Sequence, residues 1–396
     1  MVKERQEVEK GLISRYLSAR SANCPSIAAD GQHLAFVSDI TGVPEAWLLR
    51  IVPGVDEVLW PDQLTFGADR VTGVWFSPTP GDPRLIYSHD VGGNEKEQLT
   101  LLNTEDGTEV ALTAGHEGAV HRFGGWSPDG ASILFSANRR HRGLFDLYHQ
   151  PLEGEAQLVW GNEEFGYLSN LTFSPDGKHC VVVRMASSFR HDLIEVELAS
   201  GQARPLSPGQ EEARYEAVCY APDGQSLLLN TDLSSDFLQI VRLRLNDLGY
   251  EPVVSLDWDA ALMALAPDGL TLAYCVNVEG ASELRLCDLA SQETKVAPPL
   301  GVTPGVAGST DGRLVFSPDS RSLAYSFTSA TRTSDVYVWD FGRDEVRAVT
   351  RSSHGGVPAR SFVAPELVHY PTYDRVETGE VREIPAWFFK PAEHHR

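Results

Sequence analysis

Cysteine is scarce and irregularly placed. The five residues (Cys24, Cys180, Cys219, Cys275, Cys287) are odd in number, form no C-x-x-C, and have no histidine at zinc spacing. That excludes a disulfide framework and points to reduced thiols in a cytoplasmic setting. No run of eighteen apolar residues occurs, so no membrane span is expected. The opening MVKERQEVEK is charged and no apolar stretch follows it, so no secretory leader is read. Positive charge is in deficit: 33 Lys and Arg against 55 Asp and Glu give a net −22. This argues against a nucleic-acid partner, whose phosphates need basic patches, and favours solubility as the role of the acidity. The chain also lacks a G-x-S-x-G nucleophile elbow, a glycine-rich phosphate loop, a metal-binding motif and EF-hand spacing, so no cofactor, metal site or catalytic residue is expected.

What is present is repetition. WSPDG at Trp126–Gly130 returns as FSPDG at Phe173–Gly177, YAPDG at Tyr220–Gly224, LAPDG at Leu265–Gly269 and FSPDS at Phe316–Ser320. Degenerate copies, AADG at Ala28–Gly31 and FSPTPGD at Phe76–Asp82, bring the number of units to seven. Pro-Asp-Gly is turn chemistry: proline presets φ, aspartate caps locally, and glycine takes positive φ cheaply. Apolar, strand-like runs flank each copy, and third and fourth runs follow, such as DVYVWDF and RAVT. Four strands in roughly 45 residues, with no helical pattern between them, is the unit of a β-propeller blade. The sequence therefore predicts an all-β, seven-bladed β-propeller of four-stranded antiparallel blades. Stacking the blades buries faces that one sheet cannot bury alone. The run before each turn is expected to be the inner strand, and the turns themselves are read as scaffold.

Several strings imitate functional motifs. GSTDG at Gly308–Gly312 has its serine in the wrong place for an elbow, and HGG at His354–Gly356, which imitates an oxyanion-hole motif, lies before IPAWFFKP in the exit from the last blade and reads as a loop. His394 and His395 lack supporting ligands and read as solvated. GH at Gly115–His116 and WD at Trp339–Asp340 hint at WD repeats, but fall in different units. NRRHR at Asn138–Arg142 offers Arg139 and Arg140 as a fork for a carboxylate.

DVGGNEKEQLTLLN (Asp90–Asn103), FSANRRHRGLFDLYHQPLEG (Phe135–Gly154), LNTDLSSDFLQIVRL (Leu229–Leu243) and YCVNVEGASELRL (Tyr274–Leu286) resemble the prolyl oligopeptidase family. The bacterial acylaminoacyl-peptidase and dipeptidyl-peptidase relatives are the most similar group. FVAPELVHYPTYDRVETGEVREIPAWFFKPA (Phe362–Ala392) is similar to the segment where that family leaves its propeller and enters the first strand of an α/β-hydrolase domain. The resemblance implies a propeller that gates and size-filters short peptides for a serine peptidase. The Ser-Asp-His domain has no counterpart in these residues, so the chain alone is expected to be inactive.

In the dipeptidyl-peptidase relatives a propeller Glu-Glu pair grips the substrate ammonium, and Glu163 and Glu164 in NEEFGY stand where that role requires. The expected organisation is a helical lead-in over 1–23, the propeller over 24–350, and an exit segment with an orphan hydrolase strand over 351–396. That strand, EIPAWFFKP, is expected to make the C-terminus prone to association. Relatives assemble, so a homo-oligomer stays open. The alternative is a stand-alone, TolB-like protein-interaction propeller.

Overall fold

The computed structural model describes residues 13–51, 60–209, 212–300, 303–308, 312–376 and 378–390. Strands run in chain order through seven sheets: blade 1 over 22–63, blade 2 over 71–111, blade 3 over 121–160, blade 4 over 167–205, blade 5 over 215–254, blade 6 over 260–296 and blade 7 over 305–348. Each is an antiparallel meander, so the chain forms the seven-bladed propeller that the repeats imply. First strands of neighbouring blades touch one another, whereas fourth strands such as Glu109–Ala111, Ala203–Pro205 and Thr294–Val296 are exposed. The first strands therefore face the axis and the fourth strands the rim.

The core is divided into seven clusters, each at the interface between two blades. The cluster of Ala22, Leu34, Phe36 and Trp47 with Ala324, Val336 and Val338 joins blade 1 to blade 7 and closes the ring. Among the described residues no strand is shared across this seam; each sheet is built from consecutive strands. Polar contacts reinforce it. Thr333 Oγ1 donates to the Arg20 carbonyl at 2.6 Å, Ser334 Oγ donates to Asn23 Oδ1 at 2.5 Å, and the Arg20 amide donates to the Ser353 carbonyl at 2.7 Å.

The repeated turn has a role beyond the hairpin. Ser127, Ser174 and Ser317 each donate to their turn aspartate at 2.6 Å and accept an amide at the start of the next strand. Outside blade 2, whose Gly81 has no neighbour within 4 Å, the turn glycines abut the preceding blade's turn. A Cβ on Gly31, Gly177 or Gly224 would lie 3.8, 3.8 or 3.6 Å from Pro318, Pro128 or Pro175, and on Gly269 it would collide with Pro222. The turns thus lie around one face, and Gly31 against Pro318 spans the seam. Blade 7 has Ser320 in place of glycine, held at φ 59°.

Two features depart from the sequence reading. The first strands of blades 1–6 each carry a register break, with positive φ at Cys24, Asn170 and Ala217. In blade 7 the first strand is divided into Gly305–Ala307 and Leu314–Phe316, both paired to Ser322–Ser329. Bulges sharpen the local twist, which suits strands crowded near an axis. The exit strand is also not unpaired: Val381–Phe388 pairs with Glu366–Arg375 in a separate hairpin. Of the expected helical lead-in, residues 13–16 form one turn, and residues 1–12 lie outside the described residues.

Candidate functional site

A four-stranded meander puts its first and third turns on one face and its second turn and inter-blade crossing on the other. The Pro-Asp-Gly turns occupy the first face. The second carries the chain's way in and out. Residue Ala19 bridges to His354, Arg15 donates to the Gly356 carbonyl at 3.2 Å, and Tyr16 meets Phe362 at 6.4 Å. The HGG string is thus a seam turn: Gly355 has φ 63°, and a Cβ there would collide with the Arg15 carbonyl. Residues 309–311 of GSTDG, and His394 and His395, lie outside the described residues. The exit hairpin leans on the same face at blade 6. There His369 Nε2 lies 2.5 Å from Glu279 Oε1, and Trp387 Nε1 donates to the Glu279 carbonyl at 3.0 Å.

Both charged stretches singled out in the sequence reach this exit face, and they meet. NRRHR ends the second strand of blade 3 (Ser132–His141), and NEEFGY forms the crossing into blade 4. Arg140 does not offer its fork outward. Its Nε and Nη2 donate to Asp146 at 2.8 and 2.7 Å, and Nη2 also reaches the Asn162 carbonyl at 3.2 Å. The Asp146 bonds raise the Arg140 pKa above its ordinary value. Arg139 is turned inward as well. It donates to His121 Nε2 at 2.9 Å and stacks over Phe135 and Tyr148 at 5.0 and 4.9 Å, and burial lowers its pKa.

Glu163 and Glu164 point to solvent, with side chains 84% and 61% exposed. Asn162 holds their loop: its Nδ2 donates to the Glu164 carbonyl at 2.7 Å and its Oδ1 accepts the Glu164 amide at 3.2 Å. Glu164 pairs with Arg184 at 3.1 Å, while Arg184 is bound more closely to Asp192 at 2.8 Å. Glu163 lies 3.8 Å from Arg140. Three guanidiniums (Arg140, Arg184 and, at 3.9 Å from Asp192, Arg190) thus face four carboxylates. Exposed aromatic rings flank them: Phe165, Tyr167 and Phe189. An acidic, aromatic-edged surface suits a cationic, partly apolar ligand. Among the described residues, no cluster of His, Cys, Asp or Glu is arranged to hold a metal ion.

Sequence reading missed Asp146, Asp192 and Arg184. A signal was present: a polar residue within the first four positions of the third strand of several blades ties down the following crossing. Gln98 accepts from Thr113 at 2.9 Å, Asp146 from the Asn162 amide at 2.9 Å, Gln239 from the Leu256 amide at 2.7 Å and Asp335 from the Ser352 amide at 2.8 Å. Asp146 is fully buried. Asp146→Ala removes the two closest Arg140 bonds and the acceptor of the Asn162 amide, and is expected to cost about 2 kcal/mol, moderated by the partial exposure of Arg140 and its remaining contacts to the Asn162 carbonyl and Glu163. A lowered urea midpoint, with new proteolytic cleavage between 161 and 166, checks this.

A cavity of about 700 Å³ opens among Thr231, Leu233, Gln239, Tyr250, Leu256 and Trp258 of blade 5. No helix among the described residues is long and apolar enough to cross a membrane.

A family model described as the N-terminal β-propeller domain of prolyl oligopeptidase matches residues 58–352. Among solved structures, a puromycin hydrolase superposes with a TM-score of 0.73 at 15% identity, over 96% of this chain and 60% of its own. A puromycin-hydrolyzing peptidase of Mycobacterium tuberculosis gives 0.72 at 14%, over 92% and 57%. Prolyl oligopeptidase B of Galerina marginata gives 0.70 at 12%, over 94% and 55%. These likenesses establish the fold, and the chain spans 55–60% of the length of these proteins. No curated protein matches the sequence.

Proposed function

The chain belongs to the prolyl oligopeptidase family, with that family's N-terminal β-propeller as its body, and from this premise we propose that it gates and size-filters short peptides for a serine peptidase. The observation that carries the reading is the exit face. The seam turn, the exit hairpin and the acidic surface of blades 3 and 4 all lie on it. A catalytic domain joined through Val381–Phe388 as its first strand would sit over this face. Peptides would then be held between the propeller and the reacting serine. The chain contains no G-x-S-x-G, so the serine, aspartate and histidine would come from outside these 396 residues. The chain by itself is expected to leave peptides uncleaved.

In this reading Glu163 and Glu164 contact the free ammonium of a peptide. Arg140 acts from beneath, through Asp146 and the Asn162 carbonyl, to position the loop, while Arg139 is held on His121 and on the Phe135 and Tyr148 rings. Replacing both glutamates by glutamine in the native enzyme is expected to lower kcat/KM for free-amino peptides about tenfold or more, through loss of charge-assisted hydrogen bonds. N-acylated peptides should be unaffected, and an equal fall for both would show that the pair does not read the amine.

The primary test is fluorophosphonate labelling of the native protein in source extract, detected with an antibody against the propeller. A labelled band much larger than 43.4 kDa supports the peptidase reading. An unlabelled band at 43.4 kDa overturns it in favour of a propeller that works by protein interaction.

A further inference from the structure

Arg313 stands immediately before Leu314–Phe316, the inner strand of blade 7. Its Nη1 donates to the Val74 carbonyl at 2.7 Å, and its guanidinium lies 4.2 Å from the centre of the Trp75 ring. Val74 and Trp75 belong to Val71–Phe76, the inner strand of blade 2. Blades 7 and 2 are not neighbours. Blade 1 lies between them, and the interfaces on its two sides are filled by separate cores. A side chain can join strands of non-adjacent blades only by passing on the axial side of the strand between them, here Ala22–Ile27. Arg313 therefore crosses the lumen.

The neighbouring residues make room for this crossing and extend it. A Cβ on Gly73 would lie 3.0 Å from Arg313 Nη2 and 2.5 Å from the Trp75 ring, so a larger residue would displace the pair. Trp75 packs on Phe123 of blade 3 at 4.5 Å, and Trp126 donates to the Trp75 carbonyl at 3.2 Å. A continuous line of contacts runs from blade 7 to blades 2 and 3, bypassing blade 1.

We propose that Arg313 is an internal tie that holds the ring closed across the seam between blades 7 and 1. Among the described residues the seam has no shared strand; its core and a few hydrogen bonds oppose opening. The tie spans blade 1 from blade 7 to blade 2, so its charged donor to a carbonyl and its cation–π stack hold blade 1 in place at both of its interfaces, and both contacts must break before blade 1 can part from either neighbour. Val74 couples the tie to the next interface: its carbonyl receives Arg313 while its side chain packs in the core that also contains Cys24. Cys24 is buried at the inner junction of blades 1 and 2, with its Sγ 3.5 Å from the Thr72 carbonyl. Its thiol is therefore a reporter of opening there.

The test is maleimide labelling of the native protein, with each cysteine followed by peptide mass spectrometry. Arg313→Ala is expected to raise the Cys24 rate about tenfold or more, as local opening becomes easier. Cys180 and Cys275, buried in blades 4 and 6, should keep their rates. Arg122→Ala removes a stack between neighbouring blades, 5.2 Å over Tyr167, and should leave Cys24 unchanged. An unaltered Cys24 rate in Arg313→Ala, or an equal rise at all three thiols, overturns the proposal. If Arg313→Ala does not fold, Arg313→Lys, which keeps the charge and loses the planar stack, is judged by the same criterion.

Discussion

Trp339→Ala is expected to lower the unfolding free energy by about 3–5 kcal/mol, the range for deleting a buried tryptophan. Trp339 is fully buried in the core between blades 6 and 7. Phe341 meets it edge-on at 5.2 Å, and its Nε1 donates to Asp344 at 3.3 Å. Lys295, from the fourth strand of blade 6, lies 6.0 Å above the ring and pairs with Asp344 at 2.7 Å. Truncation therefore opens a cavity at a blade interface and loosens a polar contact that crosses it. Because each blade is supported only by its neighbours, the damage should be concentrated there. Hydrogen exchange should rise first in blades 6 and 7, and the denaturant midpoint should fall. A loss confined to about 1 kcal/mol would mean that the interface closes over the gap.

The second large effect is a pH dependence centred on His121. Its ring is buried between Glu97, whose carbonyl lies 3.2 Å from Nδ1, and Arg139, which donates to Nε2 at 2.9 Å. A ring that accepts from a guanidinium must be neutral at that nitrogen. Burial, with the Arg139 charge second, pushes the His121 pKa down from 6.5 to about 4. The folded protein therefore resists a proton that the unfolded chain takes up readily. This contribution is fully present above pH 6.5 and is lost as pH falls from 6.5 towards 4. At about 1.4 kcal/mol per pH unit, the window corresponds to about 3 kcal/mol. Denaturation of the wild type and of His121→Gln at pH 7 and pH 4.5 checks this. The stability gap between them should shrink at the lower pH, whereas a gap that stays constant would show that His121 does not titrate in this range.

Much of the fold was legible because the information is local. Ser-Pro-Asp-Gly specifies a hairpin through hydrogen bonds within five residues, as Ser127, Asp129 and Ser132 show. The apolar runs on either side specify strands. The inner-strand bulges were not legible, because residues such as Cys24 and Ala217 take positive φ under crowding at the axis and not by intrinsic preference. For the candidate site, both charged stretches were found, but their relation was not. Arg140 read as an outward fork because the sequence does not display Asp146 as its buried acceptor. Glu163 and Glu164 read as a pair just before an inner strand; the structure adds that their side chains are exposed and that each lies beside an arginine.

The sequence by itself determined the number of blades and the place of each hairpin. These follow from turn chemistry and strand patterning that repeat within each unit of roughly 45 residues. Only the tertiary structure decided which charges meet, that Arg140 lies beside Glu163, and that Arg313 reaches Val74 from the other end of the chain. Those pairings depend on how seven sheets close around an axis. Ring closure brings residues together by blade position, and no local pattern in the chain records that distance.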